Sequence, residues 1–210
     1  MADPARRAAT PRDRTGRRAR ILHEAERLFA ELGFHGAALS AIARASGLKN
    51  PGLIHHFPTK AQLYRAVLED IAADLDRRLA AAIGGQASPR ARLRAFMDMQ
   101  VAWLLERPVA VRLVQRELLD NVERVGSARR LPLAGFIEAA RGIVTEAQAA
   151  GAIAAGPPEI KLNRMIGSLA YAGMVRPTFR QMLDSRLLAD ERAWLEAIAA
   201  DVLASLDAGA

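Results

Sequence analysis

The sequence predicts an all-α fold in two parts, a small three-helix domain near the amino end and a larger helical bundle after it. Three observations carry this. Apolar residues recur at every third or fourth position along most of the chain, glycines and prolines stand between the periodic segments, and no segment alternates apolar with polar residues as a half-buried strand does. A chain of 210 residues can bury one sizeable core or two small ones, and two is the expected count.

The first helix is expected from a cap at Thr15 to Leu32, with Ile21, Leu22, Ala25, Leu28, Phe29 and Leu32 on one stripe and Gly33 as its stop. After a loop over 34–37, Leu39, Ile42 and Ala43 lie on one face of a second, short helix. Gly47 follows where the chain needs a positive φ, and Leu48 turns back to the core. A third helix starts near Asn50, with Pro51 in its first turn, where a missing N–H costs nothing. Its buried side is predicted to be Leu53, Ile54 and Phe57, leaving Lys49, Asn50, Gly52 and His55 to face outward.

Thr59 and Gln62 form a capping box for a long helix whose face runs through Leu63, Val67, Ile71, Leu75 and Leu79 toward Gly84-Gly85. Ser88-Pro89 caps the next, which carries Leu93, Phe96, Met97, Gln100, Val101 and Leu104 and ends before Pro108. Pro108 opens another, through Val111, Leu113, Val114 and Leu118. Residues 120–132 read as a surface loop, with Asn121, Gly126, Ser127, Arg129 and Arg130, and a helix over 133–150 stops at Gly151. Beyond Gly156-Pro157-Pro158 an apolar helix is predicted over 159–176. Pro177 is expected to interrupt it, a turn crosses 178–183, and a last helix carries Leu187, Leu188, Trp194, Leu195, Ile198, Val202 and Leu206.

From Ile21 to Leu63 the order and spacing of Ile21-Leu22, Ala25, Leu28-Phe29, Gly33-Phe34, Ile42-Ala43, Ala45, Gly47, Leu53, His56-Phe57, Lys60 and Leu63 resemble the DNA-binding domain of the TetR family of transcriptional regulators. The resemblance covers the first third of the chain. It implies a helix-turn-helix domain over 15–60, preceded by a basic flexible arm over 1–14 and followed by a helical effector-binding and dimerisation domain over 61–210. It also implies a homodimer that meets its copy through the last two long helices and reads a palindromic operator in double-stranded DNA. Small residues on those helices (Gly167, Ser168, Ala170, Ala172, Gly173) would let them approach closely.

Charge agrees with that division. Residues 1–60 hold 11 Lys and Arg against 5 Asp and Glu, whereas 61–210 hold 19 against 18, so the net charge of +7 sits almost wholly on the part that would meet phosphate. The Arg-rich start (Arg6, Arg7, Arg12, Arg14, Arg17, Arg18, Arg20) is read either as a solvated arm or as an arm along DNA. The expected DNA-contacting set is Arg18, Ser40, Lys49, Asn50, Gly52, His55, His56 and Lys60. Lys49 suits guanine and Asn50 suits adenine by donor and acceptor geometry, although both can equally touch phosphate alone. Lys60 opposes the dipole of its helix, which favours a phosphate nearby.

Departures from the family pattern can move net affinity either way, since hydroxyl contacts are lost while Lys49, where relatives often have Ser or Thr, gains a cation. Relatives carry a hydroxyl near Ala37, Ala38 and Leu39, and most carry Tyr where this chain has Ile54. His55 and His56 do not suggest a metal, because adjacent helical residues point about 100° apart and no Cys, Asp or Glu sits at ligand spacing.

In the larger domain, the family implies a small apolar or amphipathic effector. Phe96, Met97, Met99, Gln100, Trp103, Phe136, Met165, Tyr171 and Met174 lie on helices that would enclose it, with Arg141 and Asn163 as further polar candidates, though each is as readily core or surface. No catalytic triad order, paired carboxylates, phosphate loop or cofactor motif is present, so an enzyme is not expected. Without cysteine, and without an apolar run long enough to span a bilayer, the expected location is the cytoplasm. The leading reading is an effector-released repressor. Its rivals are a constitutive or architectural DNA-binding dimer, and a degenerate member retaining only a ligand-binding or protein-binding role.

Overall fold

The computed structural model describes residues 11–120 and 131–207, which form nine α-helices and one 3-10 turn and no strand. The first ten residues of the expected arm and residues 121–130 of the expected loop over 120–132 lie outside the described residues. Among those described, no helix is long and apolar enough to cross a membrane.

The helices are α1 (Pro11–Gly36), α2 (Leu39–Ala45), α3 (Asn50–His56), α4 (Lys60–Ile83), α5 (Pro89–Glu106), α6 (Pro108–Asp120), α7 (Ala134–Ala149), α8 (Pro158–Met182) and α9 (Glu191–Ala204), with the 3-10 turn at Arg186–Ala189. They group into two compact units. The first holds residues 11–71 together with 109–120, and the second holds 72–108 with 131–207. The expected boundary at residue 60 is the first turn of α4, whereas the units divide within that helix.

In the first unit, α1 begins at Pro11, so Thr15 stands inside it and is not its cap. Gly33 breaks the helical path with φ 73° and ψ 173°, a conformation open to a residue without Cβ. Ile21, Leu22, Ala25, Leu28 and Phe29 are buried as expected. Leu32 is not: it is 46% exposed, because the turn at Gly33 redirects the chain before a partner surface reaches it.

An aromatic cluster sits at that corner. Tyr64 of α4 meets Phe29 edge-on at 4.9 Å and Phe34 at 5.1 Å. Its hydroxyl donates to the buried carboxylate of Glu117 at 2.5 Å, which fastens α6 to the amino-terminal unit. Leu113 supplies the buried face of α6, while Leu118 is 72% exposed where the periodicity had placed it inside.

The second unit is a bundle around α5, which packs against α7, α8 and α9. Ser88 caps α5 by accepting from the Ala91 N–H at 3.2 Å, as its sequence predicts. Leu93, Phe96, Met97, Val144, Met165, Leu169 and Leu195 fill the core. Polar ties fix its margins. Asp74 accepts from Arg78 at 3.1 Å and from Arg107 at 3.2 Å, and Arg90 binds Asp207 and the Leu203 carbonyl.

Helix α8 runs through Pro177 without interruption, contrary to expectation. A proline inside a helix costs roughly 3 kcal/mol. Here tertiary bonds hold the stretch of α8 that precedes it: the Trp194 indole donates to the Ala172 carbonyl at 3.0 Å, and Arg176 donates to that of Ala189 at 3.1 Å. The last helix starts later than predicted, because Asp190 caps it by accepting from Ala193 N–H and leaves Leu187 and Leu188 in the preceding 3-10 turn.

Candidate nucleic-acid interface

Helices α2 and α3 are seven residues each, too short to stand alone, so packing must hold them. Ile42 and Ala43 of α2 and Leu53 of α3 are at most 1% exposed, and Phe57 closes the pair from below at 5%. Ala38 occupies the α2 cap and offers no side-chain acceptor, as its missing hydroxyl implies. The turn between the helices is set by Gly47. With φ 71°, its N–H reaches the Arg44 carbonyl at 3.1 Å, and Leu48 N–H reaches that of Ala43 at 2.8 Å, which closes α2 in a Schellman arrangement. Lys49 is extended, with φ −85° and ψ 157°, and its carbonyl receives the Gly52 N–H at 2.9 Å to start α3.

This leaves an outward face of α3 made by Lys49, Asn50, Pro51, Ile54 and His55, all exposed, with Gly52 and His56 half-buried. The burial predicted for Ile54 is corrected: it is 46% exposed. On a helix whose inward direction is taken by Leu53 and Phe57, the residue 100° beyond Leu53 falls on the flank. A Cβ on Gly52 would meet only Leu48, at 3.7 Å, so nothing inside the molecule demands glycine there.

Two of the expected cations, Arg18 and Lys60, make local contacts. The Arg18 guanidinium lies 5.4 Å over the Phe57 ring. Lys60 donates to the His35 carbonyl at 3.0 Å and stands 5.0 Å over Phe34. The structure therefore supplies a reason for a lysine at that helix start which the sequence did not: it holds the end of α1. Thr59 caps the same helix by accepting from Gln62 N–H at 3.2 Å. Ser40 is exposed in the first turn of α2, and the His55 and His56 rings meet at 5.8 Å. Sequence reasoning passed over Arg44, an exposed cation in the last turn of α2; its charge on the helix-turn-helix was the available signal. Among the described residues no cluster of His, Asp and Glu could hold a metal.

The candidate effector residues divide in two. Phe96, Met97, Met99, Gln100, Trp103, Phe136 and Met165 are buried, and the Phe96 and Phe136 rings lie 6.2 Å apart. Within this set two polar groups are poorly served. Trp103 Nε1 is buried with no acceptor among the described residues, and Gln100 Nε2 meets the Met97 sulfur at 3.7 Å. Tyr171 and Met174, by contrast, are each 56% exposed, because α8 turns Leu162, Met165, Leu169 and Ala172 inward. They line no interior of this chain. Arg141 is half-buried at the surface, ion-paired with Glu138 and, at 3.7 Å, with Glu159; its hydrogen bond holds the Glu138 carboxyl below its ordinary value. Asn163 is exposed.

Residues 21–67, which contain this helix pair, match the family model described as bacterial regulatory proteins, tetR family. The amino-terminal part of the chain is thus similar to the DNA-binding part of TetR-family regulators. The chain is 34% identical over 115 residues to the HTH-type transcriptional regulator RutR of Escherichia coli K12, covering 50% of this chain and 53% of RutR. It is 35% identical over 88 residues to the HTH-type transcriptional activator FasR of Mycolicibacterium smegmatis, covering 42% and 39%. The chain thus spans about half the length of the curated relatives it matches, or less. The solved structure of the fatty acid degradation regulator FadR from Bacillus halodurans superposes with a TM-score of 0.72 over 94% of this chain and 97% of its own, at 15% identity, a likeness of fold.

Proposed function

We propose that this chain is a transcriptional regulator of the TetR family: a homodimer whose paired α3 helices read a palindromic site in double-stranded DNA, and which a small molecule releases, so that it acts as a repressor. The observation that carries the reading is the outward face of α3. Lys49, Asn50 and His55 stand in solvent at the end of a turn fixed by Gly47, on the part of the chain that holds most of the net charge. Arg18, Ser40, Gly52, His56 and Lys60 complete the contact set, mostly toward phosphate. Residues 15–60 would read DNA, and 61–210 would serve effector binding and dimerisation.

Dimerisation is supported by α8. Ile160, Gly167, Tyr171 and Met174 recur at spacings of seven, four and three, and the three large ones among them are more than half exposed. On α9, which packs against α8, Ala200 and Ala204 are small and exposed. One short helix gives little specificity, while two related by a twofold axis can meet major grooves about 34 Å apart.

An effector is supported by Trp103 and Gln100, one turn apart on α5. A buried donor without an acceptor costs about 1–3 kcal/mol, which a carbonyl or carboxylate on an otherwise apolar ligand would recover. Release follows if the ligand favours an arrangement in which the two heads are wrongly spaced for the operator. The test is titration of labelled genomic fragments against competitor DNA, with melting of the protein followed against a compound panel. A compound that raises the melting temperature yet frees the DNA supports release. Absence of sequence preference at every salt concentration would sink the reading.

A further inference from the structure

Lys49, Asn50 and His55 offer α3 its polar contacts, but they do not account for the one large aliphatic side chain on its outward face. Ile54 is 46% exposed although Leu53, one residue before it, is fully buried. It stands one helical turn from Asn50, so the two side chains lie on the same side of the helix. A β-branched residue there has few rotamers and presents two methyl-bearing branches in a nearly fixed direction.

The edges of bases in a major groove carry hydrogen-bond donors and acceptors, and a single apolar group, the C5-methyl of thymine. Ile54 can satisfy none of the polar edges, and placing it against one would leave that edge unpaired. We infer that Ile54 is a specificity-determining residue that selects thymine through its methyl group, within about two base pairs of the position read by Asn50. The distance follows from four residues at about 1.5 Å each, set against a rise of about 3.4 Å per base pair. This rests on the proposed DNA-binding function and deepens it by naming a base that the α3 face requires.

The experiment uses the full chain. A preferred duplex is selected from a randomised pool, and each thymine in it is then replaced singly by deoxyuridine, which removes the methyl and keeps every hydrogen bond. At one thymine in each half-site the affinity should fall about fourfold, the worth of one buried carbon of this size. In Ile54→Ala that loss should vanish, because thymine and uracil then bind alike, while Ile54→Val should retain most of it. Melting of both variants serves as the check on folding, and an exposed position predicts little change. If the pool yields a preferred site but no thymine is sensitive, or if the sensitivity survives in a folded Ile54→Ala, Ile54 is a solvated side chain and the inference is overturned while DNA binding stands. If no site emerges from the pool, the proposed function fails and this inference with it.

Discussion

Helix α3 leaves one aliphatic side chain, Ile54, in water among polar neighbours, whereas α8 leaves Ile160, Tyr171, Met174 and Met182 exposed along 25 residues. The two surfaces ask for different partners. A face of donors with one methyl-bearing residue suits the edges of bases, where most contacts are polar and direction decides them. A ladder of large apolar groups interrupted by Gly167 suits another protein surface of similar shape, where area decides. Neither surface is explained by the core of its own unit, since Leu53 and Phe57 in the first, and Leu162, Met165 and Leu169 in the second, already fill the inward positions.

The most severe way to break this comparison is to charge the apolar ladder. Met174→Glu removes a side chain worth roughly 1.5–3 kcal/mol on burial, and in a symmetric pair it does so twice. On the proposed reading sedimentation should give a dimer for the parent and a monomer for the variant, with the melting of the monomer little altered because position 174 is exposed. A single species of unchanged mass would mean that the ladder faces something else.

Next in size is Leu53→Ala, which empties a fully buried position behind the reading face. The expected cost is about 2–5 kcal/mol to the first unit, read by chemical unfolding, with DNA affinity lost through the fold and not through a contact. Asn50→Ala and Lys60→Ala sharpen the α3 side. The first should cost about 1–3 kcal/mol at particular base pairs and relax preference there. The second should weaken all sequences alike and lower the salt slope by about one. It should also destabilise the first unit by about 1 kcal/mol through the lost bond to His35, a penalty that Asn50→Ala lacks.

The smallest effect concerns Glu138. Its carboxyl lies below the ordinary value because Arg141 bonds the charged form, so its contribution is present above the ordinary carboxylate range and is lost as pH falls through the lowered value. Arg141→Gln should therefore melt slightly earlier than the parent at neutral pH, and the two curves should converge as pH falls through the lowered value. Both groups are in water, so only a small separation is expected.

What the sequence could reveal depended on how local the chemistry was. Gly33, Gly47, Ser88 and Pro89 acted as read, since a positive φ or a cap is decided within a few residues. The faces of helices were legible where both flanks are packed, as along Leu63, Val67, Ile71 and Leu75. Ile54, Leu32 and Leu118 escaped because periodicity says which residues share a side but not how wide the buried side is. Pro177 escaped because the partners that hold α8 just before it, the Trp194 indole and the Ala189 carbonyl, lie elsewhere in the chain. For the interface, the residue types near Lys49 and Asn50 were readable, and the second task of Lys60 at His35 was not.

The bond between Tyr64 and Glu117 has a practical consequence for anyone wishing to transplant this recognition module. The amino-terminal unit is assembled from two stretches of chain separated by residues 72–108, so a fragment cut after residue 71 leaves behind the carboxylate that its tyrosine grips. Grafts onto a foreign partner should then carry α6 as well, or substitute phenylalanine at 64 and accept a looser corner.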